Sequence, residues 1–170
     1  LQNLGKFNRK KSSAKVIALT GSNGKTSTKE LIKSVLEIRF ETICTDGNLN
    51  NHIGVPLSLL KIRPETEIAI IEMGANNFGE IDFLTNLIIP DIGYITNFGK
   101  AHLEGFKDLD GVIKGKTELY RWMIKEKRSL LINSDDKVQI KFLDDNSVTF
   151  GSNEKSNYNF KNISTQKVSV

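Results

Sequence analysis

Residues 20–28 read T-G-S-N-G-K-T-S-T. They follow the apolar run Val16-Ile17-Ala18-Leu19 and precede a stretch with helical periodicity. Strand, glycine-rich turn and helix in that order make a phosphate-binding loop: Gly21 and Gly24 let the backbone approach an anion, and the first turn of the helix offers unpaired N–H donors and partial positive charge. Lys25 is placed to reach β- and γ-phosphate oxygens, and the Thr26 hydroxyl to ligate Mg²⁺. The general pattern G-x-x-x-x-G-K-[ST] wants a glycine where Leu19 stands. A plainer alternative is a strand, a turn and a helix capped by Ser22, Asn23, Thr26 or Ser27, with no ligand.

Outward from the loop, strand-like and helix-like segments alternate. Strands are expected at Lys15–Thr20, 67–73, 91–97, Ser129–Asn133 and 148–150. Helices are expected at 26–39, with Leu31, Ile32, Val35, Leu36 and Ile38 as apolar positions, at 79–87 up to Pro90, at 109–125, and near 136–143. This alternation predicts an α/β fold, a mostly parallel sheet flanked by helices, of the phosphate-loop type. Residues 1–14 read as a linker, and the Ser- and Asn-rich last 20 residues as a polar hairpin with strand residues Tyr158, Phe160, Val168 and Val170.

The chain has 170 residues, 38% hydrophobic and 26% charged, which suits a globular domain with a core. The net charge of +4 comes from Lys and Arg scattered among acidic residues, and aromatics are only 8%. There is no basic stripe interleaved with stacking rings, so the composition points away from nucleic acid and toward an anionic small molecule. Apolar runs such as Ile68–Ile71 are too short for membrane insertion. Cys44 stands alone, forms no internal disulfide, and accords with a reducing compartment.

Further motifs lie downstream: G-N-L-N-N-H-I-G-V-P at 47–56, I-E-M-G-A-N at 71–76, A-H-L-E-G-F at 101–106 and K-G-K-T-E-L-Y at 114–120. With T-G-S-N-G-K-T they resemble, in order, the motifs of the Mur ligases, whose phosphate loop is normally this short. Leu19 is then no defect. The resemblance covers most of the chain but only the central, ATP-binding domain of a three-domain enzyme. It implies a domain over 15–170, truncated on its C-terminal side, with residues 1–14 a linker from an N-terminal domain.

The resemblance further implies ATP and two Mg²⁺ ions as cofactors. Thr20, Gly21, Ser22, Asn23, Gly24, Lys25, Thr26, Ser27 and Asn97 would bind the nucleotide. Thr26, Glu72, His102 and Lys116 would hold metal, with Lys116 carbamylated, and Lys25, His102 and Lys116 would act in catalysis. Asn48, Asn50 and Asn51 would lie on the substrate side. Glu72 also has a reason of its own, since ligands of open α/β sheets bind at the carboxyl ends of strands. The implied reaction joins D-alanyl-D-alanine to UDP-N-acetylmuramoyl-tripeptide through an acyl-phosphate, in peptidoglycan synthesis in a bacterial cytoplasm, by a monomer. The rival readings are another Mur-type ligase, a phosphate-loop ATPase or kinase that forms no amide, and a nucleotide-binding module. The 170-residue piece alone is expected to be inactive as a ligase.

Overall fold

The computed structural model describes residues 1–99 and 103–160. Among these residues seven parallel strands form one sheet: β1 (Lys15–Thr20), β2 (Thr42–Cys44), β3 (Ile68–Glu72), β4 (Ile92–Ile95), β5 (Ser129–Asn133), β6 (Ser147–Gly151) and β7 (Tyr158–Asn159), in spatial order β2-β3-β1-β4-β5-β6-β7. The expected α/β class with a parallel sheet is what the chain adopts. β1 lies inside the sheet, with Ala18 opposite Ile71 of β3 on one side and Gly93 of β4 on the other. Sequence order reverses across β1, where a crevice opens at the strand carboxyl ends.

The helices are α1 (Gln2–Lys11), α2 (Lys25–Leu36), α3 (Gly54–Leu60), α4 (Glu80–Ile88), the short α5 (Leu103–Phe106), α6 (Leu109–Lys116) and α7 (Glu118–Lys125). Most of the core lies between the sheet and α3, α4, α6 and α7, where Val16, Ala18, Ile71, Ile81, Ile88, Leu119 and Met123 are buried. α2 packs on the opposite face over β1, β2 and β3. None of the described helices is long and apolar enough to cross a membrane.

Four expectations change. Residues 1–14, expected as a linker, contain α1. It docks on α3 and α4, with Asn8 Nδ2 donating to the carbonyls of Leu59 and Ile62 at 2.8 and 2.9 Å. The single helix over 109–125 is two. At Thr117 the hydroxyl bonds back to the Ile113 carbonyl at 2.7 Å, and Arg121 takes the Lys114 carbonyl at 2.6 Å, so the turn breaks there. The helix near 136–143 is a single 3₁₀ turn, Gln139–Phe142. β7 pairs parallel to β6, with Phe150 opposite Tyr158, where a hairpin was expected; Val168 and Val170 lie outside the described residues.

Candidate nucleotide-phosphate site

β1 hands the chain to α2 through four residues. Gly24, at φ 73°, is the N-cap of α2. Gly21, at φ 148°, passes so close to β4 that a Cβ would lie 1.9 Å from Thr96 Oγ1. Both glycines are therefore required by geometry. The loop is pinned from the end of β4: Thr96 Oγ1 and Asn97 Nδ2 donate to the Asn23 carbonyl at 2.7 and 2.9 Å, and Asn23 N donates to Asn97 Oδ1 at 3.1 Å. Ser22 Oγ donates to the Gly99 carbonyl at 3.0 Å. Thr20 turns away and donates to the Met73 carbonyl at 2.9 Å, tying β1 to β3. Ser27 is exposed on the first turn of α2. Asn97, expected to bind the nucleotide, has both amide atoms engaged by the loop backbone.

Lys25 Nζ arches over the loop and donates to the Gly21 carbonyl at 2.9 Å. Burial, opposed by Glu72, lowers its pKa from the ordinary lysine value. Glu72, 1% exposed, stands at the end of β3. Its Oε2 accepts from Thr26 Oγ1 at 3.0 Å and its Oε1 from Asn50 Nδ2 at 2.8 Å. A hydroxyl and a carboxylate thus converge beside the loop, an all-oxygen pair of the kind Mg²⁺ accepts together with phosphate oxygens. Among the described residues no three His, Cys, Asp or Glu side chains cluster as a protein-only metal cage.

Lys116, the last residue of α6, is 1% exposed, with its ammonium 5.8 Å from the centre of the Phe106 ring. Burial first, and the nearby Lys25 second, lower its pKa to about 8. His102 lies outside the described residues. The three substrate-side asparagines divide. Asn50 holds Glu72. Asn51 Oδ1 caps α3 by accepting from Ile53 N and Gly54 N at 3.0 and 2.9 Å, and Asn48 is exposed. Asn50 and Asn51, with Lys25, His52, Asn76 and Glu80, line an open cavity of about 510 Å³ beside the loop.

Two residues were missed. Lys29 is fully buried between α2 and the segment that follows β2, donating to the backbone carbonyls of Thr45 and Gly47. Its signal was its place on the face of α2 that carries Ile32 and Leu36, where a charge needs partners. Glu118, given no role, accepts from Gly79 N and Asp82 N at 2.8 and 3.0 Å and so caps α4 from α7.

A seven-stranded parallel sheet, a glycine loop entering a helix, and a strand-end carboxylate bonded to the helix's first threonine define a phosphate-loop α/β domain. The family model of the Mur ligase middle domain matches residues 19–170, and the chain belongs to that family. It is 47% identical over 127 residues to UDP-N-acetylmuramoyl-tripeptide–D-alanyl-D-alanine ligase of Buchnera aphidicola, covering 75% of this chain and 28% of that protein. To the protein of the same name from Bacillus subtilis it is 37% identical over 164 residues, 96% of this chain and 36% of the relative. Solved structures agree. MurF from Acinetobacter baumannii superposes with a TM-score of 0.82 at 38% identity, over 89% of this chain and 34% of that one. MurF from Thermotoga maritima in complex with ADP gives 0.78 at 31% identity, over 89% and 36%. The chain spans about a third of the length of these relatives.

Proposed function

We propose that this chain is the ATP-binding domain of a ligase that joins D-alanyl-D-alanine to UDP-N-acetylmuramoyl-tripeptide, in peptidoglycan synthesis in a bacterial cytoplasm. The observation that carries the reading is the convergence of Lys25, Thr26 and Glu72 on one loop, within a chain similar to proteins named for that reaction.

ATP would lie with its phosphates along residues 21–26. Lys25 would leave its loop carbonyls for the β- and γ-phosphate oxygens, and the backbone N–H groups of Gly24 to Thr26 would cradle them. Thr26 and Glu72 would hold one Mg²⁺. Lys116 as a carbamate, with His102, would hold a second; a lysine whose pKa is near 8 keeps enough neutral amine to take up CO₂. When bound, the ions neutralise charge on the transferring phosphoryl group. The 510 Å³ cavity opens beside Lys25, so a carboxylate seated there would stand near the γ-phosphate. Phosphorylation of that carboxylate makes an acyl-phosphate, and attack by the amine of D-alanyl-D-alanine then gives the amide and phosphate. The protein's part is positioning and electrostatics.

The test is phosphate release by the full-length protein. It is expected to require both the tripeptide nucleotide and D-alanyl-D-alanine, and Lys25→Ala is expected to weaken Mg-ATP binding by roughly 10- to 100-fold, the loss of a charge-assisted contact. Phosphate release that ignores the amine would instead make the protein an ATPase without ligase chemistry.

A further inference from the structure

Lys29 has no part in the scheme above, yet it is the most enclosed charge near it. Its side chain is 0% exposed. The ammonium donates to the Thr45 carbonyl at 2.6 Å and to the Gly47 carbonyl at 3.2 Å, the backbone leading into Asn48–Asn51. It also lies 3.1 Å from Glu30 Oε1, which faces solvent, and 4.0 Å from Oε2 of the buried Glu72. That same Oε2 accepts from Thr26.

A buried charge is retained only where its partners are worth its desolvation. Apolar residues would have packed α2 against β2 and β3 more simply, as Ile32 and Leu36 do. The ammonium does two things that they could not. It fastens the 45–47 backbone to α2, which places Asn50 on Glu72. It also puts a positive charge against the carboxylate that would hold a metal. Lys25 also faces Glu72, so the carboxylate stands between two lysines. A bare divalent cation entering there meets two ammonium groups around one buried carboxylate, while the charge of Glu30, the other carboxylate on Lys29, is exposed and screened by water. A cation that arrives on nucleotide phosphates brings the anions that offset it.

We infer that Lys29 is a positioning residue that keeps Glu72 from binding a bare divalent cation, so that the carboxylate accepts the metal only together with nucleotide phosphates. The inference rests on the phosphate-site reading above.

The probe is Mn²⁺, whose free and bound forms are distinguished by electron paramagnetic resonance without any turnover. The protein is the full chain, as wild type, Lys29→Met and Lys29→Gln. Methionine removes the charge and the donors; glutamine removes the charge and keeps donors for the Thr45 and Gly47 carbonyls, so it serves if the methionine variant does not fold. Wild type is expected to bind Mn-ADP and to leave bare Mn²⁺ largely free. The neutral variants are expected to bind bare Mn²⁺ at least roughly tenfold more tightly, as Coulomb attraction at an effective dielectric constant near 20 allows. Glu72→Gln added to either variant is expected to abolish that gain. Folded variants with the wild-type affinity for bare Mn²⁺ would overturn the inference while leaving the phosphate site intact. A wild type that fails to bind Mn-ADP would overturn both.

Discussion

Lys116 is an unfavourable residue to bury as a cation. Its pKa falls from the ordinary 10.5 to about 8, chiefly through burial and then through Lys25. Between those two values the folded chain binds fewer protons than the unfolded one, so folding gains stability as pH rises through that window. Below about pH 8 the ammonium is charged in both states, and the folded state bears the cost. Replacement by methionine is therefore expected to stabilise the ligand-free protein at pH 7, with an upper limit on the order of 3 kcal/mol. The gain should shrink through pH 8 to 10 and vanish near pH 10.5. Urea unfolding at pH 7, 8.5 and 10 in CO₂-free buffer measures this, and a gain independent of pH would mean that packing against Phe106, not charge, decides the effect. The neutral amine is the form that the carbamate proposed above would require.

At the scale of elements, α4 shows how a site-bearing helix is held. Its N-cap is Gly79 at φ 81°, which has no side chain to satisfy the first amides. Glu118 supplies the acceptors from α7, placing negative charge at the positive end of α4. Glu118→Ala is expected to cost about 1–2 kcal/mol in thermal or urea unfolding, with nucleotide affinity retained. A loss of nucleotide binding at full stability would point instead to a direct role. The elements that were legible in sequence are those specified by local pattern: β1 and β5 match their predicted spans, and α4 starts within a residue of its own. α1, β2 and α3 were not foreseen. β2 has three residues, too few for alternation to register. α1 carries Gly5 and four cations, and owes its place to distant carbonyls that accept from Asn8 and Arg9. The helix expected over 26–39 ends at Leu36, so Ile38 lies in the turn beyond α2, and the apolar positions differ in burial from the amphipathic reading. Ile32 and Leu36 are half-buried, while Leu31, Val35 and Ile38 are exposed. At the site, the loop, Glu72 and Lys116 were legible from motifs. Lys29 was not, because a lysine's burial depends on which carbonyls the fold delivers to it.

Across the whole molecule the two ends of the sheet divide the work. The carboxyl ends of β1, β3 and β4 carry the phosphate loop, Glu72 and Asn97. The amino ends carry a second, partly buried polar cluster centred on Asp91. Its Oδ2 accepts from Arg9 Nη2 and Val16 N, both at 2.9 Å, and its Oδ1 from Arg128 at 3.1 Å. Arg9 also donates to the carbonyls of Ile88 and Ile89 at 2.9 and 2.8 Å, at the left-handed turn that ends α4. One guanidinium thus ties α1 to α4 and to the start of β4. Arg9→Met leaves Asp91 with two of its three partners and strands the carbonyls at the end of α4, so it is expected to destabilise by about 3 kcal/mol. Strands of five or six residues separate this cluster from the phosphate loop by about 17–20 Å, and perturbations that far apart add independently. The variant's urea midpoint should therefore fall at an unchanged slope, while its Mg-ADP affinity, measured well below the melting temperature, stays within about twofold of wild type. Combining Arg9→Met with Asp91→Asn should cost less than the sum of the two, since the pair shares one interaction. A fall in nucleotide affinity that tracked the loss of stability would mean that the sheet transmits strain between its ends, and that α1 belongs to the working site as well as to the fold.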